Sequence, residues 1–154
     1  MAKDSADRYH EIRQAIHALI AGEEDEIAKM ATIACELFHR DARFDWVGFY
    51  RVTAPGLLKI GPHQGGHGCL VIPFERGVCG AAAREERTML VPDVEAFPGH
   101  IACASSTQSE IVVPVFSDGR LIAVLDIDSD QPDAFDAEDQ RALEALMVDA
   151  FGAR

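Results

Sequence analysis

Two runs of strand-forming residues, 109–116 and 120–128, flank the dipeptide Asp118-Gly119. An Asp-Gly pair in that position is a strong hairpin signal, because the tight turn between antiparallel strands needs positive φ at both central residues. The pair therefore predicts two long antiparallel strands, and the rest of the chain must pack against them.

The segments at either end read as helices. After Asp4, the residues Tyr9, Ile12, Ile16, Leu19 and Ile20 recur in steps of three and four, which lines one helical face, and Gly22 stops the run. A second helix is expected over 24–40, with Ile27, Met30, Ala31, Ala34, Leu37 and Phe38 inward. Its N-terminal acids and the C-terminal His39 and Arg40 suit the helix dipole. The last helix takes Asp136 as N-cap, buries Leu143, Leu146, Met147 and Ala150, and ends at Gly152.

Between these ends the period changes to two. Trp46-Val47-Gly48-Phe49-Tyr50-Arg51-Val52 is a strand with Trp46, Gly48 and Tyr50 on one face. Residues 57–60 pair with it across Pro55-Gly56. A third strand is expected over 69–73, ended by Pro73 or placed by it on an edge. Residues 77–86 read as a short helix and 88–91 as a strand. Residues 92–108 show no period, and a connection of that length inside a compact domain is functional or partly helical. There are no repeats or linkers. Strands joined by hairpins, with helices on a face, give an α+β sandwich around a mainly antiparallel central sheet, with the N- and C-terminal helices packed on it. The 154 residues, 48% of them hydrophobic, form one domain, 1–154.

The charge balance narrows the partners. Fourteen Lys and Arg against 26 Asp and Glu leave a net charge of −12. Scattered basic residues offer no patch for phosphate backbones, so no nucleic acid is expected. An anionic membrane surface is disfavoured too, and no apolar run approaches a membrane span. The polar start, Met1-Ala2-Lys3-Asp4, has no signal-peptide core, which makes the expected location cytoplasmic. In that compartment four cysteines are reactive, metal-bound or inert, and not a fixed disulfide framework.

Cys35 lies among apolar positions of the second helix and reads as a small core residue. Cys69, Cys79 and Cys103 lie in the glycine-rich middle, where burial is not expected. Three glycines in the four residues before Cys69 predict a mobile loop. A redox or nucleophilic role competes with inertness and with zinc held by His67, Cys69, His100 and Cys103. The zinc reading lacks any CxxC knuckle. Gly61–Gly68 lacks the ending of a phosphate-binding loop. Asp126 and Asp128 share one side of a strand, with Glu110 at the start of its hairpin partner. They read either as a solvated face or as acids with raised pKa that hold an ammonium group. Trp46 and Tyr50 either wall a pocket or fill a core.

At these residues the chain resembles a known family. The stretches Trp46-Val47-Gly48-Phe49-Tyr50, Gly61-Pro62-His63-Gln64-Gly65, Arg76-Gly77-Val78-Cys79-Gly80, Gly99-His100-Ile101-Ala102-Cys103 and Val124-Leu125-Asp126-Ile127-Asp128-Ser129 are similar to those of the free methionine-(R)-sulfoxide reductases, which are stand-alone GAF domains. The resemblance spans the whole chain. The Leu-Asp-Ile-Asp strand occurs in many GAF domains, whereas the three spaced cysteines are specific. The resemblance implies a GAF-like sandwich and reduction of free L-methionine-(R)-sulfoxide. It makes Cys103 the attacking cysteine, Cys69 the main resolving cysteine and Cys79 an alternative one. Trp46, Tyr50, Glu110, Asp126 and Asp128 would line the substrate pocket, with the acids also serving catalysis. It further implies thioredoxin as reductant, a homodimer, and no metal, flavin or nucleotide cofactor. The other readings are a GAF sensor that binds a small molecule without turnover, and a passive module that dimerises through its terminal helices.

Overall fold

The computed structural model describes residues 4–154; Met1 to Lys3 of the polar start lie outside them. The hairpin forms as Asp-Gly dictates. Asp118 and Gly119 take φ values of 51° and 73° and join the two longest-paired strands, β5 (Ser109–Ser117) and β6 (Arg120–Ser129). The remaining elements in chain order are α1 (Ser5–Ile20), α2 (Glu26–Arg40), β1 (Trp46–Ala54), β2 (Leu57–Gln64), β3 (Val71–Pro73), α3 (Gly77–Glu85), β4 (Met89–Val91) and α4 (Ala137–Phe151). A single turn of 3₁₀ helix, Val94–Ala96, interrupts the long connection before β5. The six strands form one sheet in the order β3-β2-β1-β6-β5-β4, antiparallel throughout.

Strand alternation sends the sheet's side chains into two cores. Val47 and Phe49 of β1, Ile111 and Val113 of β5, and Leu125 and Ile127 of β6 meet α1, α2 and α4 on one face. Trp46, Tyr50, Val112 and Val124 meet α3 and the loops on the other. Each fully buried Leu, Ile or Phe contributes about 1.5–3 kcal/mol against its exposed state, so neither core is incidental. The helices are fixed at their ends. Asp25 accepts hydrogen bonds from the Ile27 and Ala28 amides, and Asp136 forms a capping box with Asp139.

Three expectations are corrected. Leu19 is 59% exposed, because the buried stripe of α1 runs through Tyr9, Ile12, Ile16 and Ile20, and Leu19 sits about 100° from Ile20. In α2 the stripe is Met30, Ile33, Ala34 and Leu37, which leaves Ile27 and Ala31 exposed. Finally, β2 runs on through Gln64, so half of the glycine-rich stretch is strand, and β3 begins at Val71. Pro73 does lie on an edge strand.

Candidate active site

Sheet register assembles the floor of the site. Trp46 on β1 lies opposite Asp128 on β6, and Asp128 lies opposite Glu110 on β5. One step along, Gly48 lies opposite Asp126, and Asp126 opposite Val112. The three carboxyl groups therefore occupy neighbouring positions on the same sheet face as Trp46 and Tyr50. Gly48 is required here, since a Cβ would come within 2.6 Å of His63 Cβ and overlap the Trp46 ring. Trp46 stacks between Tyr50 and His63 at ring separations of 5.8 and 5.4 Å, and its Nε1 donates to the Gly66 carbonyl at 2.9 Å.

Above this floor lies a cavity of about 30 Å³. Gly77, Val78 and Cys79 at the start of α3 form one wall. His67 and Gly68 close it from the β2–β3 connection, and His100, Ile101 and Cys103 from the connection before β5. A disulfide between Cys69 and Cys103 ties these two connections together, with 5.3 Å between the Cα atoms. That separation falls within the usual range for a bridge.

The acids are not a solvated face. Glu110 and Asp126 are 6% and 5% exposed, and the Oδ1 atoms of Asp126 and Asp128 are buried without a hydrogen-bond partner. Among the described residues, no Lys, Arg or His forms an ion pair with any of the three. Burial, followed by the charges of Asp128 and Glu110, pushes the Asp126 carboxyl well above the ordinary range. Burial and then Glu110 do the same to Asp128. The Tyr50 phenol is raised by burial and by Asp126. The site thus holds two carboxyl groups, Asp126 and Asp128, whose protonated form is favoured by burial and by their acidic neighbours, which suits them to proton donation.

The burial of the cysteines differs from expectation. Cys79 does stand at the start of the short helix read over 77–86, but it is sealed there. It is 4% exposed in the first turn of α3, with Sγ 4.0 Å from Glu110 Oε1, and burial together with Asp126 and Glu110 pushes its thiol up. Cys103, in contrast, is exposed at the cavity mouth. The glycines before Cys69 also serve packing. A Cβ at Gly68 would come within 2.7 Å of Tyr50 Oη and 2.9 Å of Trp46 Cζ2. The imagined zinc set does not form, since Cys69 and Cys103 are spent in the disulfide. Cys35 is half-buried, its Sγ 3.6 Å from His39 Nδ1. Sequence reasoning missed the wall made by Gly77, Val78 and Ile101. The one available signal was Gly77, whose φ of 70° lets the chain enter α3 against Ile101.

A curled antiparallel sheet carrying helices on one face and a loop-walled cavity on the other defines a GAF domain, and the GAF domain family model matches residues 22–150. The chain is 43% identical over 141 residues to GAF domain-containing protein A of Dictyostelium discoideum, covering 92% of this chain and 89% of that one. It is 38% identical to the free methionine-R-sulfoxide reductase of Escherichia coli, covering 91% and 84%. The crystal structure of the free methionine-R-sulfoxide reductase from Neisseria meningitidis, in complex with its substrate, superposes with a TM-score of 0.89 at 44% identity, covering 96% and 88%. The chain belongs to the free methionine-R-sulfoxide reductase family, a family of oxidoreductases built on the GAF domain.

Proposed function

We propose that this chain, a single GAF domain over 1–154, reduces free L-methionine-(R)-sulfoxide to L-methionine and is recycled by thioredoxin. The observation that carries the reading is a disulfide beside a small cavity floored by buried acids. The chemistry follows from those parts. The Cys103 thiolate attacks the sulfoxide sulfur. The oxygen gains one proton from Asp126, Asp128 or Glu110, which lowers the barrier to breaking its bond to the substrate sulfur. The hydroxyl so formed passes to the Cys103 sulfur, so that thiolate, sulfoxide and one proton give methionine and a Cys103 sulfenic acid. The Cys69 thiol condenses with it, forming the S–S bond and releasing water. Thioredoxin then supplies two electrons and two protons by thiol–disulfide exchange.

The shape of the site supports the choice of substrate. Carboxyl groups in the floor suit an ammonium group, which a peptide-bound residue lacks. The aromatic pair Trp46 and Tyr50 offers an apolar wall to the substrate's terminal methyl, fixing which sulfur epimer presents its sulfur to Cys103 with the oxygen turned away toward the acids. A cavity of about 30 Å³ is small beside the ~150 Å³ that holds a benzene, so the disulfide form excludes substrate. Reduction must precede binding. Cys79, buried and held neutral, is a secondary partner to Cys69 in this scheme. The enzyme works as a cytoplasmic homodimer. No helix of the described residues is long and apolar enough to cross a membrane.

The test is turnover. With a thioredoxin system, the protein should consume reducing equivalents on free methionine-(R)-sulfoxide and not on the S epimer. Tight binding of the sulfoxide without any turnover would assign the chain to the sensor class instead.

A further inference from the structure

Three buried donors of unlike chemistry converge in the cavity floor from three different elements. Cys79 Sγ of α3, a carboxylate oxygen of Glu110 on β5 and one of Asp126 on β6 all lie within 4.8 Å of one another. The three residues are 4%, 6% and 5% exposed. Asp126 lines the cavity and its Oδ1 is buried with no hydrogen-bond partner, and an unpartnered acceptor at such depth points to an occupant that is cationic or carries protons. The ammonium of the proposed substrate would meet the carboxylates but gives the sulfur nothing. A donor set with one sulfur and two carboxylate oxygens has a different natural occupant.

We infer that Cys79, Glu110 and Asp126 form a binding site for a thiophilic divalent cation of the zinc class, which enters the cavity in place of substrate and inhibits the enzyme. Ligand distances of ~2.3 Å to sulfur and ~2.0–2.2 Å to oxygen place tetrahedral donors roughly 3.5 Å apart. Cys79 Sγ and Glu110 Oε1 already stand at 4.0 Å, so side-chain rotation alone closes the set. Water or Asp128 completes four ligands. Hard cations such as Mg²⁺ want an octahedron of oxygens, which this floor does not offer. On binding, the thiol and whichever carboxyls are protonated release their protons to solvent, and no electrons move. The cation is an inhibitor and not a participant in the reaction. The binding stands independently of the reductase reading; only the inhibition rests on it.

The test uses the full chain with Cys35, Cys69 and Cys103 changed to Ser, which leaves Cys79 as its only thiol and removes the disulfide. Cd²⁺ is the probe, followed by its ultraviolet thiolate charge-transfer band, with near-UV circular dichroism to establish that each variant keeps its fold. The expected result is a band saturating at one Cd²⁺ per chain, displaced by Zn²⁺ and not by excess Mg²⁺. Adding Glu110→Gln or Asp126→Asn should weaken the binding about 10-fold or more, since each removes one ligand. Absence of the band in the folded protein, or equal affinity after both carboxyl changes, overturns the site, the latter showing a lone thiol binding by itself. Because no substrate is used, neither result bears on turnover. In the wild-type enzyme, Zn²⁺ inhibition that a chelator reverses completes the case, and full activity in Zn²⁺ that saturates the site contradicts the inhibitory role.

Discussion

At the scale of single residues, the account divides the labour among three cysteines by burial and position. Cys103 is exposed at the mouth, Cys69 is joined to it, and Cys79 is sealed in α3. Changing Cys103 to Ser should abolish methionine formation even in a single turnover. Cys69→Ser should still reduce its first equivalent of sulfoxide and then recycle poorly, a split that quantifying methionine with and without thioredoxin resolves. The acids make a second prediction. Asp126 and Asp128 are raised, so the proton-donating form is present at low pH and is lost as pH rises through their elevated pKa values. Turnover at saturating substrate should therefore fall on the alkaline side, and Asp128→Asn should lower kcat more than it raises KM. An unchanged alkaline limb in both Asp126→Asn and Asp128→Asn would remove them from proton delivery. Spacing made these residues legible as candidates. It did not show that Cys79 is buried, because the first turn of a short helix reads the same whether it faces solvent or packs with Val78, Ala81 and Ala82 into the core.

At the scale of elements, local chemistry carried the reading where one rule dominated. Asp118-Gly119 located the central hairpin and Asp136 the start of α4, because turn and cap chemistry depends on a few adjacent residues. The reading failed where tertiary contact decides. Gly61 to Gln64 continue β2 because β1 supplies a pairing edge as far as Val47, which no local signal announces. Ile33 replaced Ala31 on the buried face because the α1 and β-sheet surfaces choose the stripe. A buried ion network ties these elements. Arg43, just after α2, bonds both Asp41 and Asp139, and Tyr9 of α1 donates to Asp139 at 2.6 Å. Burial alone would raise the Asp139 carboxyl, but the hydrogen bonds from Arg43 and Tyr9 outweigh it and hold it below its ordinary value. Its contribution to stability is thus present above the unfolded carboxylate value and lost as pH falls through the folded one. Asp139→Asn should cost about 3 kcal/mol in urea unfolding at neutral pH, with a smaller gap in acid. An equal cost at both pH values would contradict the charge-based account. Gly68→Ala tests the packing of the Cys69 loop. It should slow disulfide closure, read as a slower second loss of thiol after sulfoxide reduction.

At the scale of the whole molecule, one sheet serves both cores, so neither face can melt alone. The fluorescence of Trp46, on the site face, and far-UV circular dichroism, dominated by helices on the other, should unfold with one midpoint. The disulfide spans 34 positions, and closing a loop of that length stabilises the chain by about 4 kcal/mol through the unfolded state. The reduced enzyme should melt earlier than the oxidised one. The form that binds substrate is then the less stable form, as expected of a site that must open. The most direct measurement of the central claim is a single-turnover balance. Fully reduced protein, freed of reductant, is mixed in parallel with free methionine-(R)-sulfoxide, the free S epimer and a peptide-bound R sulfoxide. The account predicts one equivalent of methionine per chain from the first alone, with loss of two thiols that peptide mapping finds joined as Cys69–Cys103. No methionine, or methionine formed with the thiol count unchanged, would contradict it.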